Sequence, residues 1–374
     1  MISGNDFLSE FPPVSKAEWL NQIAKDLKNR PLEDLDWNIE EGLKMSPFVH
    51  ADDFEALPVP FAGEVNNWEI CENIFVKNPA DANRQALEAL EGGVEGLRFY
   101  FETPPGWDFF QQIFDKIHPD FIGLHFAGVG VSQNPGAILG LLERLAMQKG
   151  IVTTSLRGSL GYDPASLSGI VDWRYLVDLA GFAKEKFPHF KLLTISLKSS
   201  PNGLSEGLKS GNLYLEKLAE RGLSVPLIGE SLQFSMPVGK SYFLEIAKLR
   251  AFKLLWLNVL QGWDAPLCYP VVEAHFQPEV YTNEIFTNMV RATTMAMSAV
   301  LGGAERLTVL PYDAGRESQA DYSPEFGRRI ARNVQHLLKM ESFFHEIPEP
   351  TAGSFYIETL TNELAKRAWS AFQQ

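Results

Sequence analysis

The sequence predicts an α/β fold, a (β/α)8 TIM barrel carrying an N-terminal extended and helical arm. Three observations point there. Between Phe286 and Asp313 a helix feeds a short strand: Phe286, Met289, Val290, Met297, Val300 and Leu301 recur near helical spacing, Gly302-Gly303 ends the helix, and Arg306–Leu310 reads as a buried strand. The same joint recurs along the chain, giving eight strand-like runs that begin near residues 94, 121, 151, 190, 225, 267, 306 and 353, each followed by a helix. The alternating part is also long enough, since about 250 residues suffice for such a barrel. An open doubly wound sheet is the rival architecture. No internal repeat is visible beyond the alternation itself.

Residues 1–62 read as an arm that contacts a partner, with the barrel occupying 63–374. Ser15-Lys-Ala-Glu18 has the form of a capping box, followed at helical spacing by Trp19, Ile23 and Leu27. Leu35–Ile39 reads as a short strand, and Pro47, Pro58 and Pro60 break the chain into loops. From about residue 79 helices are expected over 80–91, 107–117 and, opened by Asn134-Pro135, up to Gly150. Further helices are expected near 172–187, 204–221, 239–260, 325–340 and from 361 to the end. Strands are expected at Val94–Glu102, Phe121–Gly128, Ile151–Leu156, Phe190–Leu197, Val225–Phe234, Leu267–Phe276 and Gly353–Glu358, besides Arg306–Leu310.

Composition narrows the function classes. Of 374 residues 45% are apolar, enough for a large core, and the net charge is -14. An acidic chain is a poor partner for nucleic acid or an anionic membrane, both of which attract cationic surfaces. Two distant cysteines, Cys71 and Cys268, supply neither a disulfide framework nor a zinc spacing. No basic-then-apolar leader opens the chain, and no apolar run approaches the roughly 18 residues of a membrane span. A soluble, cytoplasmic protein is expected.

The motifs in the second half go further. Arg291–Gly303 with its R-A-T-T-M-A-M-S-A-V-L-G-G run, Ser323–Gln335, Glu341-Ser342 and Pro350–Leu364 stand in the order found in one enzyme family, as do Phe243–Ala251 and Leu254–Trp256 upstream. Glu18-Trp19 and Glu41-Gly42 match that family's N-terminal arm. The chain resembles the substrate-barrel half of methylmalonyl-CoA mutase, the adenosylcobalamin-dependent acyl-CoA mutase. The resemblance implies a barrel that clasps an acyl-CoA along its axis and is capped by a cobalamin-binding domain. By the same resemblance Arg291–Gly303 precedes barrel strand seven, Phe243–Ala251 follows strand five, and Pro350–Leu364 spans strand eight and the last helix.

Several family motifs are altered. None of the seven histidines sits in the Asp-x-His-x-x-Gly motif that ligates cobalt, so the cobalamin-binding domain is expected to be absent from this chain, or removed from it by truncation. The tyrosine that approaches substrate in catalytic members falls on Asn73, and their His-Met-Gln-Glu segment after strand four is replaced by Ser196–Asn202. Their Arg-x-His…Gln on strand six becomes Glu273-Ala-His275-Phe-Gln277, which reverses one charge facing a polyanionic ligand, worth several kcal/mol before screening.

These losses resemble the small, non-catalytic subunit of heterodimeric members. That implies an isomerase component not catalytic alone, paired with a large catalytic subunit, binding no cofactor by itself, with adenosylcobalamin in the assembled enzyme. Two alternatives stand beside it: a competent acyl-CoA-binding barrel whose cobalamin domain is separate, and a diverged barrel acting as a ligand-binding or regulatory module.

His275 is the one catalytic candidate, and His275, Gln277, Arg157 and Ser196 are the substrate-binding candidates; no metal site is expected. His275 and Glu273 share a strand face, so the histidine is either a ligand or acid/base contact or a hydrogen-bonded interior residue. Thr153, Thr154, Ser155, Thr194, Ser196, Ser231 and Ser235 form either a hydrophilic tunnel or ordinary strand positions. Gly128 to Gly136 reads as a phosphate cradle or a plain loop. Lys240, Lys248 and Arg250 are expected on a solvated helix face, and Met289, Met295 and Met297 in packing.

Overall fold

The computed structural model describes residues 13–28, 30–55, 65–167, 169–315 and 323–374. Eight parallel strands build the barrel: β1 (Glu69–Phe75), β2 (Gly96–Tyr100), β3 (Gly123–Ala127), β4 (Arg157–Leu160), β5 (His189–Lys191 and, past Leu192, Leu193–Ser196), β6 (Leu232–Val238), β7 (Val272–Phe276) and β8 (Arg306–Thr308). Each pairs with its chain neighbours, and β8 returns to β1 through Arg306↔Glu69 and Thr308↔Cys71. The two halves of β5 lie at opposite ends of the hydrogen-bonded order, and Thr194 N–H donates to the Tyr162 carbonyl at 3.0 Å, so the wall closes into a cylinder.

Outward positions carry the apolar core. Leu97, Phe99, Leu124 and Phe126 are fully buried, and Phe99 and Phe126 pack on Phe110 and Phe114 of the neighbouring helix and the turn beyond it. The long helix Tyr242–Gly262 is apolar almost all round because it is covered twice, by the barrel and by the terminal helix Phe355–Phe372. Arg250 ties the long helix to the terminal helix and to the turn before it: Nη2 donates to Glu358 at 2.8 Å and Nε to Glu349 at 2.6 Å. Arg250 is therefore buried rather than on the expected solvated face, whereas Lys240 is exposed. Helix Ile285–Leu301 ends as expected, with Gly303 in the left-handed region at φ 85°.

The expected capping box forms: the Ser15 side chain accepts from Glu18 N–H, and Glu18 accepts from Ser15 N–H at 2.9 Å. A hairpin, Trp37–Glu40 with Leu43–Met45, follows and buries Leu43 and Met45 in the barrel's core. The expected boundary at residue 62, with Pro58 and Pro60, lies outside the described residues. Among the described residues no helix is long and apolar enough to cross a membrane.

Strand count agrees with expectation, but four placements change. β1 occupies 69–75, where no strand is expected, because its inward positions are polar. At 151–156 the chain makes a 3-10 turn, Thr153–Ser155, and the strand follows it. Val225–Ser231 is a helix that precedes β6. The run from 353 enters helix Phe355–Phe372, so the last strand is Arg306–Thr308. In consequence Arg291–Gly303 precedes strand eight rather than seven, Phe243–Ala251 follows strand six rather than five, Ser196 ends strand five rather than four, and Glu273 lies on strand seven rather than six.

Candidate functional site

Alternation along each strand decides which side chains enter the barrel. Here the inward set includes Glu69 and Cys71 from β1, Arg98 and Tyr100 from β2, His125 from β3, Ser159 from β4, Thr194 and Ser196 from β5, Gln233 and Ser235 from β6, Glu273 and His275 from β7, and Arg306 and Thr308 from β8. A usual barrel fills these positions with branched aliphatics. This one fills them with charge.

Glu273 is the centre, 3% exposed, and it accepts from both Arg98 and Arg306. Arg306 also donates to Gln233 Oε1 at 3.0 Å and approaches His125 Nε2 at 3.3 Å. Gln233 donates to Thr194 Oγ1 at 2.8 Å, and the Thr194 hydroxyl donates in turn to the Leu160 carbonyl at 2.7 Å. On the other side His125 Nε2 lies 2.6 Å from Glu69 Oε1 and Nδ1 lies 2.8 Å from Ser159 Oγ. The network crosses the axis from β1 to β5 with two carboxylates and two guanidiniums.

Two glycines make room for it. A Cβ on Gly96 would sit 1.9 Å from Glu69 Oε1, and one on Gly123 would sit 2.5 Å from Glu69 Oε2. The Glu69 carboxylate therefore lies across β2 and β3 in space that only glycine leaves free.

Burial opposes ionisation of Glu273, and the adjacent Arg98 and Arg306 charges override it, holding its carboxyl well below the usual carboxylate range. Burial likewise works against Glu69, but the His125 ring and the Arg306 and Arg157 charges hold it down at about 2. His125 is pushed down to about 4 by burial and by Arg306, so the ring is neutral at pH 7. Its Nε2–H then donates to Glu69, and Nδ1 accepts from the Ser159 hydroxyl.

Glu69, Cys71 and His125 place ligand atoms within 4.8 Å of one another. They are poorly suited to a metal. His125 Nε2 is committed to Glu69, burial pushes the Cys71 thiol up to about 12, and two guanidiniums repel a cation.

Above this layer, at the carboxyl ends of the strands, lies a cavity of about 290 Å³ lined by Tyr100, Ser132, Asp163, Ser196, Ser235 and His275, among others. His275 Nδ1 is 3.1 Å from Ser235 Oγ, and burial lowers the pKa of the ring. Of the sequence candidates, the structure brings His275 and Ser196 to this cavity. Gln277 sits past the end of β7, at the start of the 3-10 turn Pro278–Val280, and does not line it. Arg157 is exposed at the opposite, amino end of β4, where it donates to the Phe121 carbonyl at 3.4 Å. Of the hydroxyl set, Thr194, Ser196 and Ser235 reach the cavity, Thr153–Ser155 form the 3-10 turn, and Ser231 caps its own helix by donating to Leu227 O.

The loop at Gly128 is held by backbone packing: a Cβ on Gly128 would lie 2.4 Å from Phe101 O, and one on Gly130 2.3 Å from Thr103. Gly136 N–H is taken by the Tyr175 hydroxyl at 2.9 Å. This matches a plain loop better than a phosphate cradle. Sequence reading missed Arg98, His125, Gln233, Arg306 and Glu69. A signal existed: Gly96-Leu-Arg98-Phe and Gly123-Leu-His125-Phe pair residue for residue, a short repeat that places a cationic or imidazole side chain inside at each step.

The methylmalonyl-CoA mutase family model matches residues 108–374. The methylmalonyl-CoA mutase small subunit of Porphyromonas gingivalis is 30% identical, with 97% of this chain and 63% of that protein covered. The small subunit of Streptomyces virginiae is 27% identical, over 99% of this chain and 65% of that protein. The large subunit of Streptomyces virginiae is 24% identical, over 97% and 56%. The chain thus spans less than two thirds of the length of these relatives. A parallel barrel of this strand order, matched by the family model over most of its length, shows that the chain belongs to the methylmalonyl-CoA mutase family.

Proposed function

We propose that this chain is the small, scaffold subunit of a methylmalonyl-CoA mutase. In this reading it supports the interconversion of methylmalonyl-CoA and succinyl-CoA on a large catalytic partner and performs no chemistry itself. The observation that carries the reading is the Arg98–Glu273–Arg306–His125–Glu69 network. A pantetheine arm along the axis would have to displace a set of mutually neutralised buried charges, and stranding any one of them costs about 3–5 kcal/mol. The resemblance to two small subunits over nearly the whole chain supports the same reading.

Adenosylcobalamin belongs, on this reading, to the assembled enzyme, where it would supply the radical chemistry. Within this chain, His125 has both ring nitrogens committed, and Asn73 stands where the family's substrate-facing tyrosine would. The role left to these residues is to hold the barrel's shape.

The direct test is co-expression with a large mutase subunit followed by size-exclusion chromatography. Co-elution as a heterodimer, with mutase activity only in the complex, is expected; separate elution refutes the reading. Titration of the chain alone with acyl-CoA should leave its melting temperature unchanged. Saturable stabilisation would favour a competent acyl-CoA barrel instead.

A further inference from the structure

The cavity at the carboxyl ends of the strands has a chemistry of its own. Its volume, about 290 Å³, sits near the lower end of small-molecule pockets, which run from about 300 to 1,000 Å³. Its floor carries no free charge, because Arg98 and Glu273 hold each other, and the Thr194 hydroxyl there is taken by Gln233 and the Leu160 carbonyl. At the rim Asp163 accepts from the Tyr214 hydroxyl at 2.6 Å, a hydrogen bond that occupies one carboxylate oxygen. What remains on the wall besides Asp163 is neutral and able both to donate and to accept: the hydroxyls of Tyr100, Ser132 and Ser196, and the Ser235–His275 pair, hydrogen-bonded to each other at 3.1 Å.

From this we propose that the mouth of the barrel binds a small neutral polyhydroxylated molecule, of the size of a short polyol or a simple sugar. The exclusions follow from the same groups. A carboxylate or phosphate finds no unpaired cation on the floor. A cation finds one carboxylate, Asp163, whose Oδ1 is already taken by the Tyr214 hydroxyl. An apolar ligand would bury hydroxyls without partners, each costing about 1–3 kcal/mol in a protein interior. A polyol matches a wall of groups that both give and take hydrogen bonds. The site goes beyond the scaffold reading and rests only on its closed axis.

The test uses the full chain and ligand-observed NMR with isothermal titration, comparing glycerol, erythritol, ribitol and glucose with malonate and acetyl-CoA. Saturable binding of at least one neutral polyol is expected, with none from the charged probes. Ser196→Phe, which fills the cavity from the end of β5, is expected to weaken that binding by about tenfold or more. His275→Phe is the second variant should the first fail to fold, as judged by circular dichroism. The site is refuted if no polyol saturates, if wild type and the folded variant titrate alike, or if malonate binds more tightly than every polyol. A polyol failure leaves the scaffold reading standing; saturable acetyl-CoA binding overturns both.

Discussion

Glu273→Gln removes one charge from the centre of the barrel while keeping the side chain's shape. Arg98 and Arg306, 6% and 5% exposed, would then face each other with no anion between them. Breaking a buried pair by removing one partner costs about 3–5 kcal/mol, a large share of a total stability of about 5–15 kcal/mol. At about 2.1 cal/mol/K of unfolding entropy per residue, each kcal/mol moves the Tm of a domain of this size by about 1–2 °C, so a drop of roughly 3–10 °C is expected. Thermal melts and guanidinium titrations at pH 7 measure it. Adding Arg98→Met removes one stranded cation and should recover part of the loss, so the double variant is less destabilised than the sum of its singles. The pH dependence has a definite sign. The Glu273 carboxyl titrates below its unfolded value, near 4.3, so its contribution is complete above that pH and lost as pH falls through the folded value. The gap between wild type and variant should therefore hold down to about pH 4 and narrow below it. A variant within about 0.5 kcal/mol of wild type at pH 7 would refute the picture of a charge-filled axis, since that is the range of ordinary surface substitutions.

Three further outcomes are expected. His125 titrates near 4 in the fold and near 6.5 unfolded, so the unfolded chain takes up its proton first and stability falls between those values; His125→Gln should remove that share, up to roughly 3 kcal/mol, in urea melts compared at pH 7, 5.5 and 4.5, and identical slopes would exclude the buried neutral ring. Gly123→Ala puts a methyl into the Glu69 carboxylate and should cost about 1–3 kcal/mol by denaturant titration, with a smaller penalty when Glu69→Ala is already present. Arg250→Ala takes the guanidinium away from Glu358 on the terminal helix and from Glu349 on the turn before it, and should lower stability by about 3–5 kcal/mol; a near-neutral melt would show that this end of the fold is held by apolar packing alone.

The amino-acid order by itself determined the parallel barrel, most of the helices, the capping box at Ser15 and the glycine stop before β8, because each rests on local signals: apolar period, caps and chain-reversing glycines. It also carried the family, through the runs at 291–303 and 323–335. It marked Glu273 and His275 as sharing one strand face, which the structure keeps. It did not reveal β1. Glu69, Cys71 and Asn73 point inward and Glu72 puts a further carboxylate on the outer face, against Arg332, so no apolar run marks the strand.

Only the closed cylinder decides what those charges do. Glu69, Arg98, His125, Glu273 and Arg306 are spread over more than 230 residues, and no local pattern says that they neutralise one another. Read alone, glutamate in place of arginine at position 273 looks like a charge reversal on a ligand site. In the fold it sits between two arginines and completes a neutral layer, because the strand register brings Arg306 beside it and the curvature of the wall brings Arg98 across the axis.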